Sequence, residues 1–123
     1  MTLQLQRSAT LTLLEQALSQ RRALRLEYHG RRRIVSPHAL GVKNRRLMLL
    51  GYQASAETGG QVSPTASGPG WRNLFVDELD HVGFTDPASP FQSAANYNPA
   101  HPFNSIDRVI VAVPSPQRTR PHS

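Results

Sequence analysis

The fold of this chain is decided by residues 23–53, which read ALRLEYHGRRRIVSPHALGVKNRRLMLLGYQ. Leu24, Leu26 and Tyr28 alternate with polar or charged residues, which is the period-two pattern of a strand with one buried face. Gly30 then provides a turn. The stretch therefore begins with a strand that passes through a tight turn into the next element.

Two further strands follow in the same stretch. Residues 32–36 (RRIVS) predict a second strand, and Pro37 limits its pairing because proline lacks the backbone donor that a ladder needs. Residues 43 and 44 predict another tight turn, and residues 46–53 (RLMLLGYQ) are the most apolar run, which predicts a buried central strand. Three short strands with tight turns indicate an antiparallel meander, not parallel strands linked by helices.

The flanking regions add a helix, two strands and a loop. Thr12 and Glu15 have the spacing of a capping box, so a short amphipathic helix is predicted to begin at Thr12. Residues 72–77 predict a fourth strand and residues 109–113 a closing strand, whereas residues 54–70 (ASAETGGQVSPTASGPG) predict a mobile loop.

These elements predict a mostly β (α+β) fold. We expect a small SH3-like barrel or an OB-fold of about five antiparallel strands with an N-terminal helix. Residues 1–113 are predicted to form a single domain and residues 114–123 a disordered tail. Strand alternation places the following residues on the buried face: Leu24, Leu26, Val35, Leu47, Leu49, Leu74, Val76, Ile110 and Ala112.

Composition excludes several classes of function. The chain has 123 residues and no cysteine, so disulfide scaffolds, zinc–thiolate sites, iron–sulfur clusters and cysteine nucleophiles are ruled out, and a cytoplasmic location is expected. No apolar run approaches the roughly 20 residues of a membrane-spanning helix. The histidines lack metal-binding spacing, and we find neither a nucleophile elbow nor a glycine-rich phosphate loop, so no enzymatic activity, metal or cofactor is expected.

Positive charge is concentrated in one segment. Residues 21–46 hold nine arginines and lysines against one glutamate, a net charge of +8, while the whole chain carries +6. A clustered basic patch attracts phosphates, and arginine binds them through a planar fork. Two other interpretations stay open: the codon preference of a GC-rich genome, which accounts for the excess of arginine over lysine but not for the clustering, and a charged face that serves solubility.

The candidate ligand-binding residues come from this segment and from the fourth strand. Arg72 shares strand parity with Leu74, so it points inward and needs a partner, either a ligand phosphate or an internal acid such as Asp77 or Glu27. Tyr28 is either a stacking platform or a core-edge tyrosine, His38 a ligand or a structural histidine, and Trp71 a stacking group or a loop anchor. The candidates are Tyr28, Arg31, Arg33, His38, Arg45, Arg46, Trp71 and Arg72.

Several motifs resemble those of the WYL-domain family. Residues 33–41 (RIVSPHALG) are similar to its Arg-x-Val-x-Pro-x-x-Leu signature, residues 46–52 occupy the position of its Trp-Tyr-Leu strand, and residues 71–77 are similar to its later Arg-x-Phe strand. The naming triplet itself reads Leu47-Met48-Leu49 here. With residues 97–99 (YNP), the likeness is closest to a small standalone bacterial subgroup without a helix-turn-helix domain.

The resemblance implies an SH3-like, Sm-type barrel that senses a ligand, with nucleic acid or nucleotides as the ligands of some members. We therefore expect a regulatory domain that binds an anionic ligand, nucleic acid or a nucleotide being favoured, with a homodimer possible and no membrane association. The alternative is a protein-interaction or homodimerising accessory module, which requires an exposed apolar patch of roughly several hundred Å².

Overall fold

Two long strands organise the computed structural model, which describes residues 2–58, 61–64, 70–85, 91–99 and 108–113. In chain order the elements are helix α1 (Thr2–Gln20), strands β1 (Leu24–Tyr28), β2 (Arg31–Lys43), β3 (Arg46–Thr58), β4 (Gln61–Pro64) and β5 (Gly70–Phe75), a 3-10 turn (Val76–Glu78), and strands β6 (Leu79–Phe84) and β7 (Arg108–Ala112). β2 and β3 have 13 residues each, about twice the usual strand length.

The long strands divide their pairing along their length. β2 pairs with β3 throughout, while its first half also pairs with β1 and its second half with β7. β3 pairs with β5 through residues 48–53 and with β4 through residues 55–58. β6 adds to the other edge of β1, so the described strands form one antiparallel sheet of seven strands.

Two irregularities bend the β2–β3 ladder. The register shifts between Ile34 and Val35, where Ala54 is the extra residue on β3, and between Pro37 and Ala39, where His38 is the extra residue on β2. A bulge of this kind bends and twists the strand that carries it. The bends allow β2 and β3 to wrap around one core instead of extending as a flat ribbon.

The 3-10 turn brings the two ends of the curved sheet together. β5 and β6 end the strand path β5–β3–β2–β1–β6, and the turn connects them directly. Among the described residues no ladder joins β5 to β6, so the sheet is open at this point. The predicted mostly β α+β fold, barrel-like with an N-terminal helix, is confirmed, with seven strands in place of about five.

The additional strands come from two places. β6 covers a segment with only a weak apolar pattern, and β4 pairs with an extension of β3 inside the predicted loop 54–70. The sequence signal for that hairpin is the Gly59-Gly60 pair between the two strands, which favours a tight turn. Residues 59–60 and 65–69 and the predicted tail 114–123 lie outside the described residues, and the mobility of the loop stays a prediction.

Helix α1 begins ten residues earlier than the capping-box spacing predicts. Thr12 lies inside the helix, because no glycine or proline interrupts residues 2–20 and helix-forming residues on both sides continue the hydrogen-bonding pattern. Leu14, Ala17 and Leu18 are buried against the sheet. In the described part of the chain, no helix combines the length and apolarity needed to cross a membrane.

The core lies between α1 and the inner face of the sheet. Six of the residues predicted to be buried are so: Leu24, Leu26, Val35, Leu49, Leu74 and Val76. Leu47 and Ala112 are partly buried. The prediction for Ile110 is wrong, since 49% of it is exposed. β7 pairs only with β2 among the described strands. Alternation therefore does not bury either face of β7 at Val109, Ile110 or Val111, which are all exposed.

Candidate anion-binding site

Two arginines lie on the inner side of the sheet near one end of the barrel. Arg33 is the register partner of buried Leu26 on β1, and Arg72 stands two residues before buried Leu74 on β5. Because alternate residues of a strand share a face, both side chains belong to the core-facing side. The observed β3–β5 register keeps Arg72 and Leu74 on the same strand, two residues apart, as the parity argument for Arg72 requires.

Arg33 is half-buried and has only neutral partners. Its Nη1 donates to Oε1 of buried Gln53 at 3.3 Å, and its Nη2 makes a long contact of 3.5 Å with the carbonyl oxygen of Tyr28. Its Nε is buried without a hydrogen-bond partner. In the described part of the chain no carboxylate forms an ion pair with Arg33.

Other positive charges act on Arg33. Desolvation by burial lowers the pKa of Arg33, and the charges of Arg72 and Arg31 lower it further. Arg72 donates from Nη1 to the carbonyl oxygen of Trp71 at 3.1 Å, and that Nη1 lies 2.8 Å from the position where a Cβ on Gly70 would stand. The missing side chain at Gly70 therefore leaves the room that the Arg72 guanidinium occupies.

Tyr28 lies next to this site, and both its hydroxyl group and its ring already have partners. Its hydroxyl oxygen accepts a hydrogen bond from the Phe75 backbone N–H at 3.1 Å, and its ring stacks on His29 with centroids 4.1 Å apart. The Arg33 guanidinium carbon lies 5.5 Å from the centre of the same ring. Burial raises the pKa of Tyr28. Of the two roles predicted from sequence, these contacts correspond to the core-edge tyrosine.

Arg46, another candidate, is occupied by acids of the 3-10 turn. Its Nη2 lies 2.7 Å from Oδ1 of Asp77 and 2.6 Å from Oε2 of Glu78, and its guanidinium covers the Phe75 ring at 3.7 Å. Hydrogen bonds to Asp77 and then Glu78 raise the pKa of Arg46. A hydrogen bond from His29, followed by that from Arg46, lowers the pKa of Glu78 to about 2. This network ties β1, β3 and the 3-10 turn together.

The remaining basic candidates are exposed. Arg31 opens β2 and acts on Arg33 through its charge. Arg45 occupies the β2–β3 turn, where Asn44 and Arg45 have φ values of 53° and 65°, as both central residues of a type I′ hairpin turn require. The structure thus gathers Arg31, Arg33 and Arg72 into one basic site and keeps Arg45 and Arg46 at the β2–β3 turn.

His38 lies in an aromatic cluster and has no exposed surface. Its ring centroid is 4.8 Å from Trp71, 4.8 Å from Phe91 and 4.7 Å from Tyr97. Nδ1 donates to the Ser36 carbonyl oxygen at 2.8 Å, while Nε2 is buried without a partner among the described residues. Burial lowers the pKa of His38 to about 4. The ring is therefore neutral near pH 7 and adds no positive charge to a ligand site.

Trp71 anchors a loop in this cluster. Its Nε1 donates to Oδ1 of Asn96 at 2.9 Å, and the Tyr97 hydroxyl donates to the Val113 carbonyl oxygen at 2.6 Å. Residues 91–99 are thereby held over the outer side of β2 and β5. The sequence left two roles open for Trp71, a stacking group or an anchor for residues 54–70. The sequence signal for the loop that Trp71 contacts is the pair of isolated aromatics, Phe91 and Tyr97, in a polar segment.

Fold and site together define a small barrel-like domain with two arginines on the inner side of its sheet. The family model of the WYL domain matches residues 9–62, so this segment of the chain is similar to a WYL domain. The match includes Arg33 but ends before Arg72 on β5. Neither the comparison with curated proteins nor that with solved structures gave a match. No group of three metal-ligating side chains occurs in the described part of the chain.

Proposed function

We propose that this domain binds a phosphate-bearing ligand, nucleic acid or a nucleotide in preference to other anions, at the Arg33–Arg72 site. It acts as a cytoplasmic regulatory binding domain and not as an enzyme. The observation that carries the proposal is the half-buried Arg33 guanidinium, on which the charge of Arg72 acts and which has no carboxylate partner among the described residues.

The energetics of buried charge support an anionic ligand. Bringing like charges together in a partly desolvated place is unfavourable unless a counter-charge completes the arrangement. An anion between Arg33 and Arg72 supplies that charge and accepts hydrogen bonds from the guanidinium forks, including the unpartnered Nε of Arg33. Planar forks match the tetrahedral oxygens of a phosphate in bidentate fashion.

The surrounding charge supports a phosphate chain over an isolated small anion. Residues 21–46 carry a net charge of +8, and Arg31 is exposed beside the inner site. A field of this sign raises the local concentration of polyanions and their rate of association. Arg46 contributes little of this attraction, because Asp77 and Glu78 already accept its hydrogen bonds.

The proposal is tested by fluorescence anisotropy with labelled single-stranded DNA, labelled RNA and a labelled nucleotide, each at low and high salt. Arg33→Gln and Arg72→Gln are compared with Arg21→Asn. Arg21 is exposed and has a φ of 54°, which asparagine tolerates. All three variants remove one positive charge, so they separate a defined site from a general charge effect.

We expect the affinity to fall steeply with salt, by about one log–log slope unit per phosphate neutralised. Arg33→Gln and Arg72→Gln each lose about 1.5–3 kcal/mol of binding free energy, as expected for hydrogen bonds between charged groups, and Arg21→Asn retains its affinity. Equal losses in all three variants, or no binding of any probe at low salt, would contradict the proposal. Circular dichroism confirms that each variant is folded.

An interaction module is the second candidate, and one observation favours it. Val109, Ile110 and Val111 are consecutive on β7 and are 36%, 49% and 41% exposed. Natural sheets usually protect such an apolar edge strand. Analytical ultracentrifugation of the wild-type chain and of Ile110→Thr tests it: a dimer that this change dissociates supports the module, and a monomer in both cases excludes a homodimer through β7.

A further inference from the structure

A second pair of arginines lies on the opposite side of the sheet from Arg33. Arg32 and Arg33 are consecutive on β2, so Arg32 points outward. A cleft of about 280 Å³ on the outer side of β1, β2 and β6 is lined by Arg25, Leu26, Glu27, Arg32 and His81. Both arginines are exposed.

A glycine and a bulge lie beside the cleft. Gly83 is the register partner of Arg25, and a Cβ added to Gly83 would meet nothing within 4 Å, so the space beside Arg25 is open. The β1–β6 register shifts between Arg25 and Glu27, and His81 has a φ of 52°. A left-handed histidine at a bulge has its side chain redirected from the regular strand pattern.

The redirected side chain of His81 contacts the carboxylate of Glu27, which lies across the strands from Arg32. Glu27 is the register partner of Arg32, a position that favours a cross-strand ion pair. Its Oε1 lies instead 3.2 Å from Nδ1 of His81. Within the described ranges, neither Arg25 nor Arg32 forms an ion pair with a carboxylate, although Glu27 also lines the cleft.

We propose that this outer cleft binds a single phosphoryl group between Arg25 and Arg32. The two forks supply the donors that a phosphate dianion accepts, and the cleft adjoins open space at Gly83, the register partner of Arg25. Glu27 lines the cleft, and Asp80, its register partner on β6, is exposed beside it. Their negative charge disfavours a polyphosphate chain. The site is separate from the Arg33–Arg72 site because the two lie on opposite sides of β2.

The test is an NMR titration of the labelled chain that follows the arginine side-chain N–H signals and the backbone signals of residues 80–83. Inorganic phosphate, a nucleoside monophosphate and a nucleoside triphosphate are the probes, so that free phosphate and a nucleotide phosphate are distinguished. The variants are Arg32→Gln and Gly83→Leu, which adds an apolar side chain beside Arg25 without changing the charge. Arg21→Asn is the matched control, and Arg33→Gln is the control for the inner site.

We expect saturable shifts at Arg25, Arg32 and residues 80–83 with phosphate and the monophosphate. Arg32→Gln weakens this binding about tenfold, Gly83→Leu abolishes it, and Arg21→Asn and Arg33→Gln leave it unchanged. Shifts that do not saturate, or that extend equally to Arg21, overturn the proposal, as does wild-type affinity in a folded Gly83→Leu variant. If Gly83→Leu does not fold, wild-type affinity in the double variant Arg25→Gln/Arg32→Gln overturns it.

Discussion

Protonation of His38 is expected to set the stability of the domain in mild acid. The folded state holds the ring neutral, with no exposed surface, and burial lowers its pKa from 6.5 to about 4. In the unfolded chain the ring has its ordinary pKa of about 6.5. Between these two values the unfolded state binds a proton that the folded state does not, so the free energy of unfolding falls as the pH falls.

The size of the effect follows from the difference between the two pKa values. Above about pH 6.5 both states are neutral at His38 and the full stability is present; below about pH 4 both are protonated and no more is lost. A pKa difference of one corresponds to about 1.4 kcal/mol, so the total loss across this window is about 3 kcal/mol. A domain of this size has only about 5–15 kcal/mol of stability, which makes the loss easy to measure.

The assay is urea unfolding at a series of pH values from 7.5 to 4, followed by the fluorescence of Trp71, whose ring contacts His38. His38→Gln removes the titrating group, so its stability declines much less between pH 6.5 and 5, where few carboxylates protonate. His81→Asn is the matched control, because the side chain of His81 is 76% exposed and its φ of 52° suits asparagine. The reasoning is refuted if the wild-type chain keeps constant stability between pH 7 and 5, or if His38→Gln declines as steeply as the wild-type chain.

Two further predictions concern packing. Gly51→Ala places a Cβ 2.1 Å from Cγ1 of Val35 and is expected to lower the free energy of unfolding by about 1–3 kcal/mol through overpacking; Gly83→Ala, whose Cβ meets nothing within 4 Å, is the control, and equal unfolding midpoints in urea would contradict the clash. Tyr97→Phe removes the 2.6 Å hydrogen bond to the Val113 carbonyl oxygen and is expected to cost about 1 kcal/mol, measured by thermal unfolding. Faster hydrogen exchange at residues 91–99 should accompany it, and unchanged exchange would show that the loop is held by ring packing alone.

Much of the fold is readable from local sequence. Alternation in Leu24–Tyr28 and around Leu49 and Leu74 predicts which side chains enter the core, because a strand has the same period wherever it packs. The inward direction of Arg72 follows from the same rule. Strand alternation does not predict the start of α1, the β4 strand or the exposure of Ile110. Each of these depends on residues outside the local segment.

The candidate site was only partly predictable. Sequence identified Arg33 and Arg72 as separate candidates, and they approach each other because β3 pairs with β2 on one edge and with β5 on the other. The same patterns made Arg46 an equal candidate for the ligand site. In the structure its hydrogen bonds are accepted by Asp77 and Glu78, which lie 31 and 32 residues later in the chain. Charge along the chain reveals how many arginines are near one another in sequence, but not which of them have an acid for a partner.

What the sequence alone determined is therefore the set of strands around residues 23–53, the face each side chain takes and the excess of positive charge. Only the tertiary structure decided that His38 is sealed by Trp71, Phe91 and Tyr97, which lie 33 to 59 residues away along the chain. The physical reason is that strand periodicity is a local property of the backbone. Burial, pKa and ion pairing depend on contacts between residues distant in sequence, and these exist only once the curved sheet has packed around its core.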